Sequence, residues 1–510
     1  MTAPVLRPRV LHLGADDDVA IALEPLTRGT PVDDIVAVDD IPGGHKIALR
    51  DLPAGALVHK YGHVIGMTAA AVRAGEHVHT HNLTMPPNAT AVATSGPVAV
   101  VPEVPADLPR TFDGILRPDG RVATRNYIGV LTTVNCSATV AKQIVRRTED
   151  EIAEMHAEGV DGVVALTHGT GCGMANSGPG WDVLRRTLTG YARHPNIGGL
   201  VVVGLGCEIN VMRSLVEEMD LPAWLPLSSF TIQDVGGTAA AVKEGVRRVR
   251  EMADAMRGTP RRSVGVEHLV LGMQCGGSDA WSALTANPAL GVASDYLVAL
   301  GATSMLGETP EIYGAEQMLA ERATSDAVRE KLMERITWWE RYTAAQGTTI
   351  DGNPSPGNKA GGITTILEKS LGSVAKGGQS PLAEIVDYAA VPTAKGFVFM
   401  DTPGYDPVSA TGMVAGGANI IAFTTGRGSV FGSRPVPTVK LATNSELATR
   451  MSGDIDVDCS GVVEAGVPLE EMGRRVYRRL IEVASGDRSQ SEDLGLGGEE
   501  IVPWQIGAVL

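Results

Sequence analysis

Residues 127–168, YIGVLTTVNCSATVAKQIVRRTEDEIAEMHAEGVDGVVALTH, decide the fold class of this chain. The stretch opens with a continuous apolar run, which is typical of a strand buried on both faces. A helical stretch follows over residues 137–156, and a second apolar run, GVVALTH, closes it. The same strand-then-helix alternation continues with LVVVGLG at 200–206 and HLVLGMQ at 268–274. This alternation predicts an α/β fold whose mostly parallel sheets are covered by helices.

The whole chain divides into four predicted segments. Residues 1–84 contain short alternating strands between glycine turns, which indicates a small β module. Residues 85–111 are proline-rich and read as a linker, and residues 112–390 form the large α/β region. Residues 391–510 add strands such as GFVFMDT and NIIAFTTG, then a polar tail from residue 486 that we expect to be loosely packed. We predict two Rossmann-like subdomains in the α/β part.

Charge and composition exclude several classes of protein. The chain has 510 residues and a formal net charge of −16, so a nucleic-acid backbone is an unsuitable partner. No apolar run approaches the roughly 18 residues of a membrane span, and the N-terminus lacks the apolar core of a signal peptide. We therefore expect a cytoplasmic protein without membrane partners. Its five cysteines are an odd number, which argues against a disulfide framework.

Four of the five cysteines follow predicted strands directly: Cys136, Cys172, Cys207 and Cys275. Ligands of open parallel sheets bind at the carboxyl ends of the strands, so we expect these thiols near one crevice. Such thiols could hold a soft metal or an iron–sulfur cluster, or supply a nucleophile. The competing explanation is that cysteine packs well as a small apolar residue where a strand turns.

Histidines form a second group of candidates. Six of the eleven lie within residues 45–81, and the segment GEHVHTHN places His77, His79 and His81 at alternate positions. Side chains at i and i+2 of a strand point the same way, so such a pair can chelate a metal. Solvated histidines on an edge strand are an equally good explanation. His45 lies in IPGGHK, and His168 follows a strand of the α/β part.

Three loops carry cations suited to a carboxylate. Arg125 and Asn126 lie in DGRVATRN, Lys359 in the glycine-rich loop NPSPGNKAGG, and Arg427 in TTGRGS. Arginine pairs with carboxylates through two parallel hydrogen bonds, and glycine-rich backbone offers N–H groups to anions. Neither a Walker loop nor a dinucleotide fingerprint occurs, so a nucleotide is not favoured. Together these features indicate a small, polyhydroxylated, carboxylated substrate.

Several motifs carry a resemblance to a known family. They are IPGGHKIALRDLPAGALVHKYGHVIG at 41–66, GEHVHTHN at 75–82, DGRVATRNYIGVLTTVNCS at 119–137, GLGCE at 204–208, QCGGSDAWSALTANPALGVASDYLV at 274–298, NPSPGNKAGGITT at 353–365, FTTGRGS at 423–429 and PTVKLATNSELA at 437–448. Over almost its whole length the chain resembles the altronate/galactarate dehydratases, a family of sugar-acid hydro-lyases. The resemblance implies an N-terminal β-clip (SAF) domain, conversion of an altronate-like aldonate or aldarate to a 2-keto-3-deoxy acid, and dependence on Fe(II) or Mn(II). The loop THGTGCGM at 167–174 departs from the family pattern, which leaves the particular sugar acid open.

The resemblance and the residue patterns together lead to an expected set of site residues. We expect C2 proton abstraction by His45 or His168, with Lys440 a weaker candidate, and then loss of the C3 hydroxyl. The expected substrate-binding residues are Arg125, Asn126, Asp279, Lys359 and Arg427. The expected metal ligands are Cys136, Cys172, Cys207, Cys275, His79 and His81, and an iron–sulfur cluster is the alternative cofactor.

Other functions stay open from the sequence. A carbon–sulfur lyase acting on a sulfo-hydroxy acid would use the same proton abstraction and release sulfite. A non-catalytic sugar-acid-binding protein would bind the same ligand without turnover, and a transferase could use Cys275 as a nucleophile. In each case the expected partner is a small molecule, and a homo-oligomer is an open alternative.

Overall fold

The computed structural model describes residues 9–87 and 98–507. Nine short strands build the N-terminal module: β1 Val10–Leu11, β2 Val19–Ala22, β3 Pro31–Val32, β4 Ile35–Val36, β5 Lys46–Ala48, β6 Leu57–Lys60, β7 His63–Thr68, β8 His77–Val78 and β9 Leu83–Thr84. They form antiparallel sheets in the orders β1-β2-β5-β8, β6-β7-β9 and β3-β4. The apolar sequence of β2 fits its position, because Val19 and Ala20 belong to two different apolar clusters of the module.

A four-stranded parallel sheet follows the module. A small antiparallel sheet is formed by strands that come before and after it in the sequence: β10 Thr111–Leu116, β11 Val122–Ala123 and β16 Arg262–Gly265. The parallel sheet has the order β13-β12-β14-β15, with β12 Tyr127–Thr132, β13 Gly162–Leu166, β14 Ile197–Gly204 and β15 Leu227–Thr231. Its helices are α1 Ala138–Ala153, α2 Pro179–Ala192, α3 Met212–Glu218 and α4 Thr238–Met256. One face packs on α1 and α4, and the other on α2 and α3, which is why β14 is buried along its whole length.

The remaining strands form one seven-stranded parallel sheet. Its order is β19-β20-β18-β17-β21-β22-β23, with β17 Val270–Cys275, β18 Thr303–Leu306, β19 Leu382–Val386, β20 Gly396–Met400, β21 Ile420–Thr425, β22 Thr438–Ala442 and β23 Val457–Asp458. The helices are α5 Ala286–Ala299, α6 Glu316–Ala320, α7 Asp326–Ala345, α8 Pro356–Ala360, α9 Ile366–Ala375, α10 Asp406–Ala415, α11 Ser445–Arg450, α12 Gly461–Glu464, α13 Leu469–Ala484 and α14 Gln490–Asp493. Helices α5 and α13 approach closely at Gly473, where a Cβ would lie 2.4 Å from Val292 Cγ1.

The structure confirms part of the predicted fold class and differs from the predicted segment boundaries. Mixed α/β structure with a large parallel sheet is confirmed, while the Rossmann-like character of the subdomains stays a prediction. The seven-stranded sheet contains strands from both sides of residue 390, so the structure does not divide the chain there. Residues 88–97 of the expected linker lie outside the described residues. Among the described residues, no helix is both long and apolar enough to cross a membrane.

The expectation of a loosely packed C-terminal tail was wrong. The α14 segment is held by a capping box between Ser489 and Glu492, and Ser489 is fully buried. The carboxylate of Glu492 also pairs with the buried Arg125, with Oε1 2.7 Å from Nε. The polar composition of the tail therefore reflects specific buried hydrogen bonds rather than solvation.

His194 joins the two parallel sheets and makes stability depend on pH. Its Nε2 donates to Ala418 O at 3.0 Å, and its Nδ1 accepts from the Asn196 N–H at 3.1 Å. Burial lowers the pKa of His194 to about 4. An unfolded chain binds this proton near pH 6.5, so we expect this group's contribution, about 3 kcal/mol, to be lost as the pH falls from 6.5 to 4. Urea unfolding of wild type and His194→Gln across that range tests this, and equal pH slopes would contradict it.

Candidate active site at the histidine cluster

Three histidines meet at one end of the β5–β8 pair. In this antiparallel pair Ile47 lies opposite His77 and Lys46 opposite Val78, so His45 and His79 face each other at the next position. His45 Nδ1 is 3.0 Å from His77 Nε2, and the rings of His77 and His79 stack with centroids 5.3 Å apart. One ligand nitrogen from each of the three lies within 4.8 Å of the others. The ring of His81 adjoins the cluster, 5.4 Å from that of His77.

The electrostatics of the cluster suit a metal ion. Burial lowers the pKa of His45, lowers that of His77 to about 4 and lowers that of His79 to about 3. At neutral pH all three imidazoles are therefore uncharged, which is the form that binds metals. His79 Nδ1 is buried with no hydrogen-bond partner. His45 Nε2 lies 3.3 Å from Ala360 O, and a backbone carbonyl is the usual partner for the second nitrogen of a metal-binding imidazole.

A buried ion triad fixes the N-terminal module on α9. The Glu368 carboxylate forms ion pairs with two lysines: Oε2 is 2.9 Å from Lys46 Nζ, and Oε1 is 2.6 Å from Lys60 Nζ. All three side chains are buried. Although burial opposes it, the two ammonium groups hold the pKa of Glu368 well below its usual range. Lys46 also donates to Gly362 O at 2.6 Å. Since Lys46 directly follows His45, the triad positions the histidine cluster against the loop after α8.

A cavity of about 840 Å³ opens beside this junction. Gly43 lines it from the module, and Asp279, Gly361 and Arg427 line it from the seven-stranded sheet. Arg427 is exposed on the loop after β21, whose backbone is held by bonds from the N–H groups of Gly426 and Arg427 to Gly277 O. The Arg427 guanidinium makes no ion pair or hydrogen bond among the described residues, so it is free for a ligand anion.

Asp279 and Lys359 have different positions at this cavity. The Asp279 carboxylate accepts hydrogen bonds from Ser282, Thr443 and Asn444, and burial raises its pKa. Asp279 therefore organises the surrounding loops. Lys359 is an exposed residue of α8, next to the Ala360 carbonyl that faces His45.

A second ligand-capable cluster lies buried at the ends of β17 and β18. Cys275, Glu308 and Glu311 offer ligand atoms within 4.8 Å of one another. Two ammonium groups already face them: Lys369 Nζ is 2.6 Å from Glu311, and Lys376 Nζ is 2.8 Å from Cys275 Sγ and 3.7 Å from Glu308. The two carboxylates are thus balanced by two lysines, and burial raises the pKa of the Cys275 thiol. Because lysines already occupy the acidic cluster, the histidine cluster is the better binding site for a divalent cation.

A larger cavity of about 1100 Å³ opens between the two parallel sheets. Arg121, Arg186 and Lys395 are among the residues that line it. Neither of the two ligand-capable clusters among the described residues contributes to its lining. The smaller cavity adjoins the histidine cluster instead, because Ala360 lines it and the Ala360 carbonyl faces His45.

Four of the expected substrate-binding and catalytic residues lie elsewhere. All five N–H groups of Arg125 are used by Glu492 and by backbone carbonyls, and Asn126 bonds Arg117, Gly159 and Asp161. Both residues are buried and hold the fold together, so neither faces a substrate. Lys440 Nζ donates to Ser429 O and faces Asp454, and His168 Nε2 lies 3.1 Å from Thr132 O in the other sheet.

The four cysteines do not converge on one crevice. Cys136, Cys172 and Cys207 are exposed at the carboxyl edge of the four-stranded sheet, while Cys275 is buried in the seven-stranded sheet. The expectation failed because the alternating pattern continues across two separate sheets, and sequence alone does not show where one sheet ends.

Several site residues escaped the sequence analysis. His77 was recognised only as part of the HVHTH pattern, yet it pairs directly with His45. Glu308 and Glu311 follow β18 in the segment GETPE, so acidic residues at a strand end were an available signal. Nothing in the sequence links Lys46 and Lys60 with Glu368, which lies more than three hundred positions away.

Comparisons with known proteins agree with this three-part organisation. Residues 8–86 match the altronate/galactarate dehydratase SAF domain, residues 114–257 the second domain of D-galactarate dehydratase/altronate hydrolase, and residues 266–509 the C-terminal domain of D-galactarate/altronate dehydratase. The altronate dehydratase of Bacillus subtilis (strain 168) is 35% identical, with 93% of this chain and 95% of that protein covered. The galactarate dehydratase (L-threo-forming) of Escherichia coli (strain K12) is 36% identical, with 94% and 93% covered. The (2R)-sulfolactate sulfo-lyase subunit beta of Chromohalobacter salexigens is 31% identical, with 76% and 95% covered.

The β module and the parallel sheets, taken with these relatives, define an enzyme of the hydro-lyase class. The chain belongs to the altronate/galactarate dehydratase family.

Proposed function

We propose that this enzyme dehydrates a sugar acid, an altronate-like aldonate or an aldarate, to a 2-keto-3-deoxy acid. The observation that carries the proposal is the cluster of three neutral imidazoles beside a polar cavity that holds an unpaired arginine. Relatives named for altronate and galactarate support this class of substrate. Ser445, Glu446 and Glu464 also line the cavity and offer hydrogen-bond partners to several hydroxyl groups.

We propose that His45, His77 and His79 hold Fe(II) or Mn(II). The 3.0 Å between His45 Nδ1 and His77 Nε2 is the separation of two adjacent ligands that are each about 2.1 Å from one metal ion. When bound, such an ion supplies Lewis-acid polarisation of a carboxylate or hydroxyl oxygen. In this proposal His45, which was expected to act as a base, is a metal ligand. His81, which was expected to be a ligand, is not.

We propose His81 as the acceptor of the C2 proton. Its ring adjoins the cluster, and its imidazole has no hydrogen-bond partner among the described residues. The same proton can be returned to the departing C3 hydroxyl, so that water leaves and the imidazole is regenerated. Arg427 and Lys359 hold the carboxylate and stabilise the negative charge that develops on its oxygens. The resulting enol converts to the ketone in water.

The test uses anaerobically purified protein supplied with Fe(II) or Mn(II). Altronate, galactarate and (2R)-sulfolactate are offered separately, and products are followed by proton NMR and by keto-acid and sulfite determination. We expect a 2-keto-3-deoxy acid from one of the two sugar acids and no sulfite. Absence of turnover with either sugar acid, although one of them binds, would overturn the proposal.

A carbon–sulfur lyase is the second candidate function. It is favoured by the 31% identity to the sulfolactate sulfo-lyase subunit, which covers 76% of this chain. The same proton abstraction serves both reactions, and only the leaving group differs. Sulfite release from sulfolactate, with both sugar acids unchanged, would establish this function instead.

Replacing His81 with asparagine should separate proton transfer from metal binding. We expect kcat to fall by about 10²–10⁴-fold, because the general base is lost, while bound Fe(II) or Mn(II) stays at the wild-type level. Metal analysis and steady-state kinetics of the same preparation measure both effects. Loss of the metal together with activity would make His81 a ligand instead.

Replacing Arg427 with alanine should weaken substrate binding. We expect kcat/KM to fall by about 10–100-fold, because a charge-assisted hydrogen bond to the carboxylate is lost. Arg450→Ala is the matched control, since Arg450 lines the same cavity but pairs with Glu446 at 3.3 Å. Equal effects of the two substitutions on KM would show that Arg427 does not contact the carboxylate.

A further inference from the structure

Three cysteines occupy equivalent positions at one edge of the four-stranded sheet. Cys136 follows β12, Cys172 lies in the loop after β13, and Cys207 follows β14. These three strands are direct neighbours, with β12 in the middle. In a parallel sheet the carboxyl ends of adjacent strands share one edge, so the three thiols stand on three adjoining loops.

Hydrogen bonds tie the three loops to one another. The Asn135 N–H donates to Thr170 O at 2.9 Å, which joins the Cys136 loop to the Cys172 loop. Asn210 donates from its backbone N–H to Gly171 O at 3.1 Å and from its Nδ2 to Thr133 O at 2.8 Å, which joins the Cys207 loop to both. The arrangement is thus built by the fold before any ligand arrives.

The exposure of these thiols is unusual for cysteine. Cysteine is among the residues most often buried, and Cys275 and Cys459 of this chain follow that rule. Cys136, Cys172 and Cys207 are all exposed, and they are the three at the shared edge. Packing therefore does not explain why cysteine stands at these positions, whereas a thiophilic ligand does.

Glycines next to the thiols bring backbone close to the same place. Gly171 and Gly173 flank Cys172 with φ of 95° and 64°, and Gly206 precedes Cys207 with φ of 124°. A Cβ at Gly171 would lie 2.4 Å from Thr133 O, so the loops approach more closely than another residue allows. Turns of this kind present backbone N–H groups to anions, including the sulfides of iron–sulfur clusters.

We propose that Cys136, Cys172 and Cys207 bind an iron–sulfur cluster of the four-iron kind, with one iron left without a protein thiolate. The neighbouring side chains are already engaged: Glu208 accepts from Thr133 Oγ1 and the Gly206 N–H, and His168 bonds Thr132 O. A structural zinc site needs four protein ligands, whereas the described residues of these loops offer three exposed thiols. Cys172 also lines a cavity of about 320 Å³ together with Trp504 and Gln505, which gives the open iron room for a small ligand.

Iron and acid-labile sulfide content of anaerobically purified protein test the site directly. We expect about four sulfides per chain in the wild type, with about four irons, or about five when the histidine cluster also holds Fe(II), and loss of at least half of the sulfide and iron in Cys136→Ser, Cys172→Ser and Cys207→Ser. Cys459→Ala is the matched control and should keep both, since Cys459 is buried elsewhere. Iron without sulfide, zinc in place of iron, or unchanged sulfide in all three serine variants would overturn the proposal.

A second measurement needs no variant. Alkylation of the chelator-treated wild type, mapped by mass spectrometry, should label Cys136, Cys172 and Cys207, and reconstitution with iron and sulfide should protect all three together. Labelling that reconstitution does not change would contradict the proposal. The result is independent of the proposed dehydration, because His79→Ala should keep its sulfide while losing activity.

Discussion

Replacing His79 with alanine is expected to remove the metal of the histidine cluster and to lower kcat/KM by about 10³-fold. The imidazole of His79 brings a neutral donor with a buried, unpartnered Nδ1 to the cluster, and two histidines remain after its loss. A Lewis acid contributes several kcal/mol of transition-state stabilisation, which sets the size of the effect. Metal analysis after dialysis against Mn(II) and kinetics on the accepted sugar acid measure both losses.

His12→Ala is the matched control for this substitution. His12 belongs to the same N-terminal module, and it forms an exposed ion pair with Asp33 away from the cluster. We expect it to keep metal content and kcat/KM within about twofold, as is normal for a surface substitution. Wild-type metal content and activity in His79→Ala would remove the cluster from the account.

Replacing Glu368 with alanine is expected to give the largest loss of stability. Its carboxylate is the shared partner of the buried Lys46 and Lys60, so its removal leaves two ammonium groups buried without a counter-charge. Breaking a buried ion pair in this way costs about 3–5 kcal/mol. Urea denaturation followed by fluorescence measures the loss, and limited proteolysis shows whether the N-terminal module comes away from α9.

Two further variants show whether the stability lost in Glu368→Ala comes from the buried charges. Glu217→Ala removes an exposed partner of Arg213 and should cost less than about 0.5 kcal/mol. Combined replacement of Lys46, Lys60 and Glu368 by methionine removes every buried charge of the triad and should recover most of the stability lost in Glu368→Ala. An unfolding midpoint of Glu368→Ala that matches the wild type would show that the triad does not hold the module.

Periodicity along the chain predicted much of the fold. Continuous apolar runs such as Ile420–Thr425 are buried on both faces, so they identify parallel strands directly. Helix α7 begins where the sequence offers a cap, because Ser325 accepts from the Val328 N–H. Periodicity carries no information on which strands share a sheet, and for that reason the two sheets were not separated at the correct place.

The site was predictable only where its residues are close in sequence. Alternation in GEHVHTHN placed His77, His79 and His81 together, and the rings do adjoin. His45 joins them through strand pairing over thirty-two positions. Arg125 had the side chain of an anion-binding residue, but the structure uses all of its donors internally. Whether a cation is free or paired depends on distant partners, which a single sequence does not reveal.

The position of the bound metal decides whether the histidine cluster is the metal site. Crystals of protein loaded anaerobically with Mn(II) are measured at the manganese absorption edge. The anomalous difference map then distinguishes manganese from the iron of an iron–sulfur cluster. We predict one strong peak within coordination distance of nitrogens of His45, His77 and His79. A peak among Cys275, Glu308 and Glu311, with none at the histidines, would contradict the account.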